Sequence, residues 1–382
     1  MNDLLRVDIE KAYSSDVVIH AAFSMPAEEA GVQILFGPSA SGKSTVLRCV
    51  AGLTKPDRGR IACGDDVWFD AAGKIDIATQ KRRIGLLFQQ HALFPHLTVF
   101  ENVAYGLREI PPAERRRLVG EYLERFRISE CATRLPHQIS GGQQQRTALA
   151  RTLIVKPRVL LLDEPLSSLD TLLREKLWAE LRELFASFGK PVILVTHDRR
   201  EAIALGTHLA VLKDGEILQQ GRMADVFSSP QHVDVARMLG VETILTGVIT
   251  RREAGMAVVK VAEQELLAVC PDDAQERVHV CIRGEDVTLR RSAEPVDVTS
   301  VRNQLRGIVQ SIEEAGALKR VQVDIGHLLT ALVTRHAAEE LQLAPGVPIM
   351  AQIKATAIHL MPLSVKEIQL VGNMNQSTNL DT

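Results

Sequence analysis

No cysteine pair in this chain has the C-x-x-C spacing of a metal or redox site. Its five cysteines, Cys49, Cys63, Cys131, Cys270 and Cys281, are scattered over 382 residues. That pattern argues against a zinc ribbon and a disulfide framework, and suits reduced thiols in a cytosolic protein. An excess of charge of either sign is also missing. Lys and Arg number 45 against 47 Asp and Glu, leaving −2 at pH 7, so no bulk attraction to nucleic acid is expected. Basic clusters such as Arg115 to Arg117 read as solvated helix faces. Apolar runs long enough to span a bilayer are absent. Asp3, Arg6 and Asp8 break any signal-like start. What remains is a chain long enough for two or three domains with ample core.

Residues 37–45, GPSASGKST, fit G-x-x-x-x-G-K-[ST], the P-loop. Glycines at such a turn let backbone N–H groups close on a phosphate chain with no Cβ in the way. The nine positions are Gly37, Pro38, Ser39, Ala40, Ser41, Gly42, Lys43, Ser44 and Thr45. Lys43 supplies a point charge to the β and γ phosphates, and Ser44 a hydroxyl ligand for Mg²⁺. Val32, Ile34, Leu35 and Phe36 predict a buried strand before the loop. Residues 44–52 predict a helix after it, with its positive end toward the phosphates.

Residues 159–165, VLLLDEP, predict a second buried parallel strand ending in two carboxylates. Asp163 is placed to support Mg²⁺, and Glu164 to polarise the water that attacks the γ-phosphate. Another strand, 192–195, leads to Thr196 and His197, so His197 can reach the γ-phosphate edge. Ser140, Gly141, Gly142 and Gln143 precede a clean helical run, QQQRTALARTLI, which makes a second anion-type helix start.

Together these stretches resemble the ATP-binding cassette ATPases that power bacterial importers. The P-loop, Gln89 as the Q-loop, the ISGGQ signature, LLLDEP, the SSLD turn at 167–170 and His197 match in type, order and spacing over about residues 1–235. Ile139 stands where Leu is usual, and Ala40 where Gly or Cys is frequent. The resemblance implies ATP and Mg²⁺ as cofactors, with Ser44, Gln89 and Asp163 at the metal and Lys43, Gln89, Glu164 and His197 in hydrolysis. It implies a homodimer, in which the P-loop of one copy and Ser140 and Gly142 of the other enclose each ATP. Tyr13 is the candidate to stack on adenine. The same resemblance implies a separate membrane permease, an indirect link to a periplasmic substrate-binding protein, and a peripheral place on the cytoplasmic face of the inner membrane. Residues 93–100, LFPHLTVF, are expected to receive a permease helix.

The fold expected is an α/β P-loop ATPase core with a helical insert at 88–157, followed by a C-terminal all-β, OB-like barrel. Thr98 and Glu101 form a capping box. Leu118, Tyr122, Leu123 and Phe126 give one insert helix an apolar face. Leu173, Leu177, Leu181 and Leu184 form the core stripe of another helix, which stops at Gly189. A linker at 236–242 leads to the barrel at 243–365, and 366–382 reads as a disordered tail.

In the barrel region Val321, Val323 and Ile325 alternate with Gln322 and Asp324. Ile349, Ala351, Ile353 and Ala355 alternate with Gln352, Lys354 and Thr356. The segments RNQLRGIV, EELQLAPG and IKATAIHL resemble the molybdate-binding domain called molbindin or MOP, and 243–290 resembles the looser accessory barrel of importer ATPases. Two lobes or one intertwined barrel fit equally well. This likeness points to molybdate, with tungstate handled too. Arg302, Thr334, Lys354 and Thr356 are the candidate oxyanion donors, since a tetrahedral dianion takes hydroxyl, N–H and cationic donors. A polar strand face in water explains the same residues. Importers of sulfate or thiosulfate, ferric ion or polyamine are the alternatives. A non-transport cassette ATPase is disfavoured by the lack of coiled-coil heptads, a second cassette or a basic stripe. A non-catalytic oxyanion regulator would leave the hydrolytic set unused.

Overall fold

A computed structural model of the protein describes residues 4–26, 31–88, 92–167, 171–270, 274–291 and 299–363. Gln89, three positions of the 167–170 turn and the tail at 366–382 lie outside the described residues. The chain divides after Val226 into two compact units.

The first unit is built on one 11-stranded sheet. In chain order its strands are β1 (Leu4–Ala12), β2 (Val18–Pro26), β3 (Val32–Phe36), β4 (Arg58–Cys63), β5 (Asp66–Asp70) and β6 (Ile75–Asp76). Then come β7 (Ile84–Leu87), β8 (Val159–Asp163), β9 (Val192–Thr196), β10 (His208–Lys213) and β11 (Glu216–Arg222). Across the sheet the order is β6-β5-β4-β1-β2-β11-β10-β3-β9-β8-β7. From β10 to β7 every pair is parallel, while β2, β1, β4 and β5 pair antiparallel. All five residues of β3, β8 and β9 are buried. Continuous apolar runs take this role where a parallel sheet is covered on both faces.

Among the described residues this unit carries α1 (Lys43–Ala51), α2 (Val99–Ala104), α3 (Pro112–Arg125), α4 (Gly141–Leu153), α5 (Thr171–Phe188) and α6 (Arg199–Leu205). α1 follows the P-loop, begins one residue before the expected start, and stops at Gly52, whose φ is 76°. Its Val46, Leu47 and Val50 share one core with Leu161 of β8, Ile193 of β9 and Val7 of β1. The helical insert occupies the crossover from β7 to β8. There the Thr98 hydroxyl accepts from Glu101 N at 3.2 Å, and the Glu101 carboxylate accepts from Thr98 N at 2.8 Å. In α5, Leu177 and Leu181 are buried and Gly189 lies just beyond the last turn with φ 62°.

Two short helices, α7 (Met223–Ser228) and α8 (Val233–Met238), lead into the second unit. Its strands are β12 (Thr243–Glu253), β13 (Met256–Val261), β14 (Gln264–Val269), β15 (Arg277–Ile282), β16 (Thr288–Arg290), β17 (Asn303–Ala315), β18 (Leu318–Asp324) and β19 (Leu328–Thr334). A one-turn helix, α9 (Arg335–Glu340), precedes β20 (Pro348–Ile353) and β21 (Ile358–Pro362). They form two five-stranded sheets, β14-β13-β12-β15-β21 and β16-β20-β17-β18-β19. The last strand crosses back to pair with β15, Ile358 opposite Ile282. One core draws Val259 and Val280 from the first sheet and Val321, Val323 and Ile349 from the second. The barrel is therefore intertwined rather than two-lobed.

Val321, Val323 and Ile325 face that core as their alternation predicts. The later alternation is different in kind. β20 ends at Ile353, and Ala355–Ala357 form a 3-10 turn closed by Ala357 N donating to Lys354 O at 3.0 Å. Lys354 and Thr356 thus project from a turn, not from the strand face expected for them. Burial of Ala355 preserves the inside–outside rhythm through the turn.

Candidate active site

β3 delivers the chain into the P-loop at Gly37. A Cβ built there would lie 2.1 Å from Leu212 O, so only glycine lets the loop pass β10. Pro38, Ser39 and Ala40 are exposed, whereas Ser41 and Lys43 are buried. Ala40 has φ 65°, a left-handed conformation costing a non-glycine residue roughly 1–2 kcal/mol. Lys43 Nζ donates to Gly37 O at 3.0 Å, Pro38 O at 2.6 Å and Ser41 Oγ at 3.4 Å. Its ammonium is folded into the curve that a phosphate chain would fill. Burial lowers its pKa, against the pull of Glu164 and Asp163. Gly42, with φ 102°, and Ser44 and Thr45 complete the turn into α1.

Two strands away, β8 ends at Asp163 and Glu164. Ser44 Oγ donates to Asp163 Oδ1 at 2.9 Å. Burial raises the Asp163 pKa, and the Ser44 hydrogen bond opposes it. A hydroxyl and a buried carboxylate in contact are hard oxygen donors of the kind Mg²⁺ takes, and a cation would offset the burial cost of the acid. Glu164 turns sharply out of the strand with φ 45°. Its N–H donates to Val195 O at 3.0 Å, and its Oε1 lies 3.0 Å from His197 Nδ1. Strained non-glycine backbone of this sort costs about 1–3 kcal/mol and persists only where the surroundings enforce it. Here it swings a carboxylate toward the P-loop side of the sheet.

Tyr13, 58% exposed, stands beside this cradle with its hydroxyl 3.5 Å from Thr45 Oγ1 and Lys11 Nζ 5.8 Å from its ring. The other phosphate-type element is the start of α4. Ser140 is its N-cap: Ser140 Oγ accepts from Gln143 N at 3.3 Å, and Gln143 Oε1 accepts from Ser140 N at 2.9 Å. Ser140 and Gly141 are exposed and Gly142 is buried. The structure thus brings Lys43, Ser44, Asp163, Glu164 and His197 into one place and holds the signature as a rigid capped helix end. Gln89 lies outside the described residues.

Chain motifs alone do not reveal what braces His197. Thr196 Oγ1 accepts from Asp198 N at 3.0 Å and donates to the buried Glu201 carboxylate. Asp198 caps α6, accepting from Arg200 N at 2.8 Å, and takes an Arg174 guanidinium N–H at 3.1 Å. Asp198-x-x-Glu201 is an N-cap signature legible in the sequence, but Glu201 reaches back to Thr196 instead of the cap.

Of the oxyanion candidates, Arg302 and Lys354 sit one residue beyond the Asn303–Ile353 pair of β17 and β20, with Thr356 on the adjoining turn. Thr334 is at the far end of this sheet, opposite Leu318 of β18, and its hydroxyl caps α9 by accepting from Ala337 N at 3.1 Å. The 13-residue β17 separates the two ends by roughly 40 Å along the strand. A single chain does not bring Thr334 to the other three.

A family model described as ABC transporter matches residues 21–167, and a TOBE domain model matches residues 299–360. The molybdate/tungstate import ATP-binding protein WtpC of Pyrococcus horikoshii is 39% identical over 86% of this chain and 92% of its own length. The chain belongs to the ABC transporter family. Another relative, the spermidine/putrescine import ATP-binding protein PotA of Haemophilus influenzae, is 37% identical over 74% of this chain and 75% of its own. Among solved structures, cbiO1 from Clostridium perfringens, part of the ABC transporter complex cbiONQ, matches with a TM-score of 0.52 at 28% identity. That match covers 63% of this chain and 95% of cbiO1. As a member of the family this ABC transporter ATPase binds and hydrolyses ATP. The TOBE match falls on the segment that carries the molbindin-like RNQL and IKAT stretches. Among the described residues no helix is long and apolar enough to cross a membrane.

Proposed function

We propose that this ATPase energises the uptake of molybdate, with tungstate handled by the same route, through a separate membrane permease that it meets on the cytoplasmic face. The observation that carries the reading is the identity of the molybdate/tungstate relative, 39% over 333 residues, against 37% over 287 and 35% over 350 residues for two polyamine relatives, together with the molbindin-like RNQL and IKAT stretches of the barrel. Two copies form the working unit, each P-loop facing the Ser140 and Gly142 of the other. Tyr13 stacks on adenine. Lys43 leaves the loop carbonyls for the β and γ phosphates. Ser44 and Asp163, with Gln89, would hold Mg²⁺, which would supply charge neutralisation at those phosphates. Glu164 accepts the proton of the attacking water, while His197 holds Glu164 and the γ-phosphate edge in register. Arg302, Lys354 and Thr356 are the retained oxyanion donors, and Thr334 would join them only from a second copy.

Uptake by the permease complex in proteoliposomes tests the substrate. ATP-driven accumulation of molybdate, displaced by tungstate within about tenfold of the same concentration, is expected. Accumulation of spermidine or sulfate in its place would overturn the assignment.

We assign the permease contact to the helical insert. Phe94 stacks on Tyr105 with ring centroids 4.2 Å apart and with the Arg151 guanidinium 5.3 Å from its ring. Asn102 pins the Phe94 loop, donating to Phe94 O at 3.1 Å and Leu97 O at 3.0 Å and accepting from Phe94 N at 2.9 Å. Phe94 and Leu97 are only half-buried and Tyr105 is exposed, which leaves an apolar shelf on a fixed loop for a partner helix. Phe94→Asp should leave ATP affinity within twofold and cut ATP-driven uptake more than tenfold. Normal uptake in this variant would move the contact elsewhere.

A further inference from the structure

We propose that Glu201 is a positioning residue for ATP hydrolysis, acting through Thr196 to hold His197 against Glu164. The inference rests on the reading of Glu164 and His197 as the γ-phosphate edge of the site.

Thr196 is the last residue of β9, paired with Phe36 at the end of β3, and the preceding Val195 pairs with Asp163. The next residue is His197. Its position is therefore set by a single turn that leaves the sheet between the P-loop strand and the acidic strand. The turn is closed by Asp198 N donating to Thr196 Oγ1 at 3.0 Å. A threonine hydroxyl rotates freely unless its own proton is also committed. Glu201 commits it: Thr196 Oγ1 and Glu201 Oε2 share a short hydrogen bond inside the protein. Thr196 is 2% exposed and Glu201 3%.

Packing alone does not account for a carboxyl at this position. Glu201 Oε1 is buried with no hydrogen-bond partner, and an unpartnered buried oxygen is destabilising. A methyl or methylene group would fill the same volume without that cost. The carboxyl earns its place through the other oxygen. The charged groups around it are Asp198 at the cap of α6, Arg174 from α5 and Glu164 from the end of β8. Burial, first of these influences, raises its pKa to about 7. The bond to Thr196 survives either protonation state, because Oε2 accepts the Thr196 proton both in the carboxylate and in the acid protonated on Oε1. From there the chain of contacts runs Glu201, Thr196, the Thr196–Asp198 turn, His197, and Glu164 Oε1 at 3.0 Å.

The test is steady-state ATP hydrolysis by the full chain with its permease, comparing Glu201→Ala, Glu201→Gln and Thr196→Val, each also in a His197→Ala background. Glu201→Ala and Thr196→Val are expected to lower kcat about tenfold or more with KM for ATP within twofold. Glu201→Gln, whose amide oxygen still accepts from Thr196, should recover most of that loss. In the His197→Ala background the Glu201→Ala change should cost less than twofold, since the group it positions is gone. A multiplicative loss there, or a change confined to KM, overturns the proposal. So does wild-type kcat in both Glu201→Ala and Thr196→Val while His197→Ala is impaired. Wild-type kcat in His197→Ala itself would instead remove the site reading on which the proposal stands. If Glu201→Ala does not fold, Thr196→Val and its combination with His197→Ala decide the matter.

Discussion

Glu164→Gln is expected to abolish turnover while leaving ATP binding intact. The carboxylate is carried on a residue with φ 45°, tied by its N–H to Val195 O, so the side chain is aimed before any nucleotide arrives. An amide of the same shape keeps the geometry and the contact with His197 Nδ1. It loses the capacity to accept a proton from water. General-base loss costs about 10²–10⁴-fold in rate, and that drop in kcat is the measurement. The dissociation constant for ATP should stay within twofold, and the variant should accumulate as an ATP-bound dimer. Lys43→Ala should do the reverse. Its ammonium already lies against Gly37 O and Pro38 O, so its loss should raise the dissociation constant itself. Hydrolysis near the wild-type rate in Glu164→Gln would remove Glu164 from its role.

Everything needed for that prediction is local in the chain. A P-loop is nine consecutive residues, and the acidic strand is seven. Their sequence fixes backbone form and side-chain order, and only the adjacency of β3, β9 and β8 is left to the fold. The continuous apolar runs of those strands announce a shared parallel sheet, and the order of the strands across it comes from the fold. The brace behind His197 was not legible. Its two halves are Thr196 and Glu201, five residues apart, and the same residues read as an ordinary strand end and helix cap. Only the fold shows that Glu201 points at Thr196 in a dry interior.

The C-terminal unit was legible in a different measure. Alternation in 321–325 gives the buried face because a strand has a period of two. It does not give the partner. β21 pairs with β15 from 76 residues away at the Ile282–Ile358 position, and nothing in either segment names the other. Alternation also misreads 353–356, where a 3-10 turn with a buried Ala355 imitates a strand. Lys354 and Thr356 keep the outward direction expected of them but sit on a bend, which alters the spacing of any donors they offer.

The largest stability effect is expected at a residue that no motif marks. Arg82 is 1% exposed, in a loop just before β7. Its Nη1 donates to Cys49 O and Val50 O, both at 2.9 Å, and its Nε to Ile77 O at 2.8 Å. The first two are last-turn carbonyls of α1, where the regular helical bonds run out; Cys49 O takes one further N–H, from Gly52 at 3.1 Å. A guanidinium there satisfies them and complements the helix dipole. Burial lowers the Arg82 pKa, while Asp76 at 3.4 Å, half in water, opposes the shift. Arg82→Ala takes the guanidinium from three carbonyls, of which Cys49 O keeps the Gly52 N–H at 3.1 Å, and leaves a void under the helix that follows the P-loop. Buried unpaired groups cost about 1–3 kcal/mol each, so a net loss of roughly 3–5 kcal/mol is expected after relaxation. For a unit of this size that is about 10 °C in the melting temperature of the first transition. Arg82→Lys should recover less than half, since one ammonium cannot span the two-sided fork. Gly52 supplies an independent check. A Cβ at Gly52 would lie 2.7 Å from Arg82 Cζ, and Gly52 has φ 76°. Gly52→Ala should therefore destabilise the wild type through both clash and backbone strain. In Arg82→Ala only the strain remains, about 1 kcal/mol, so the two changes together should cost clearly less than their sum. Full additivity, or an unchanged melting temperature in Arg82→Ala, would mean that α1 is held by its apolar face alone.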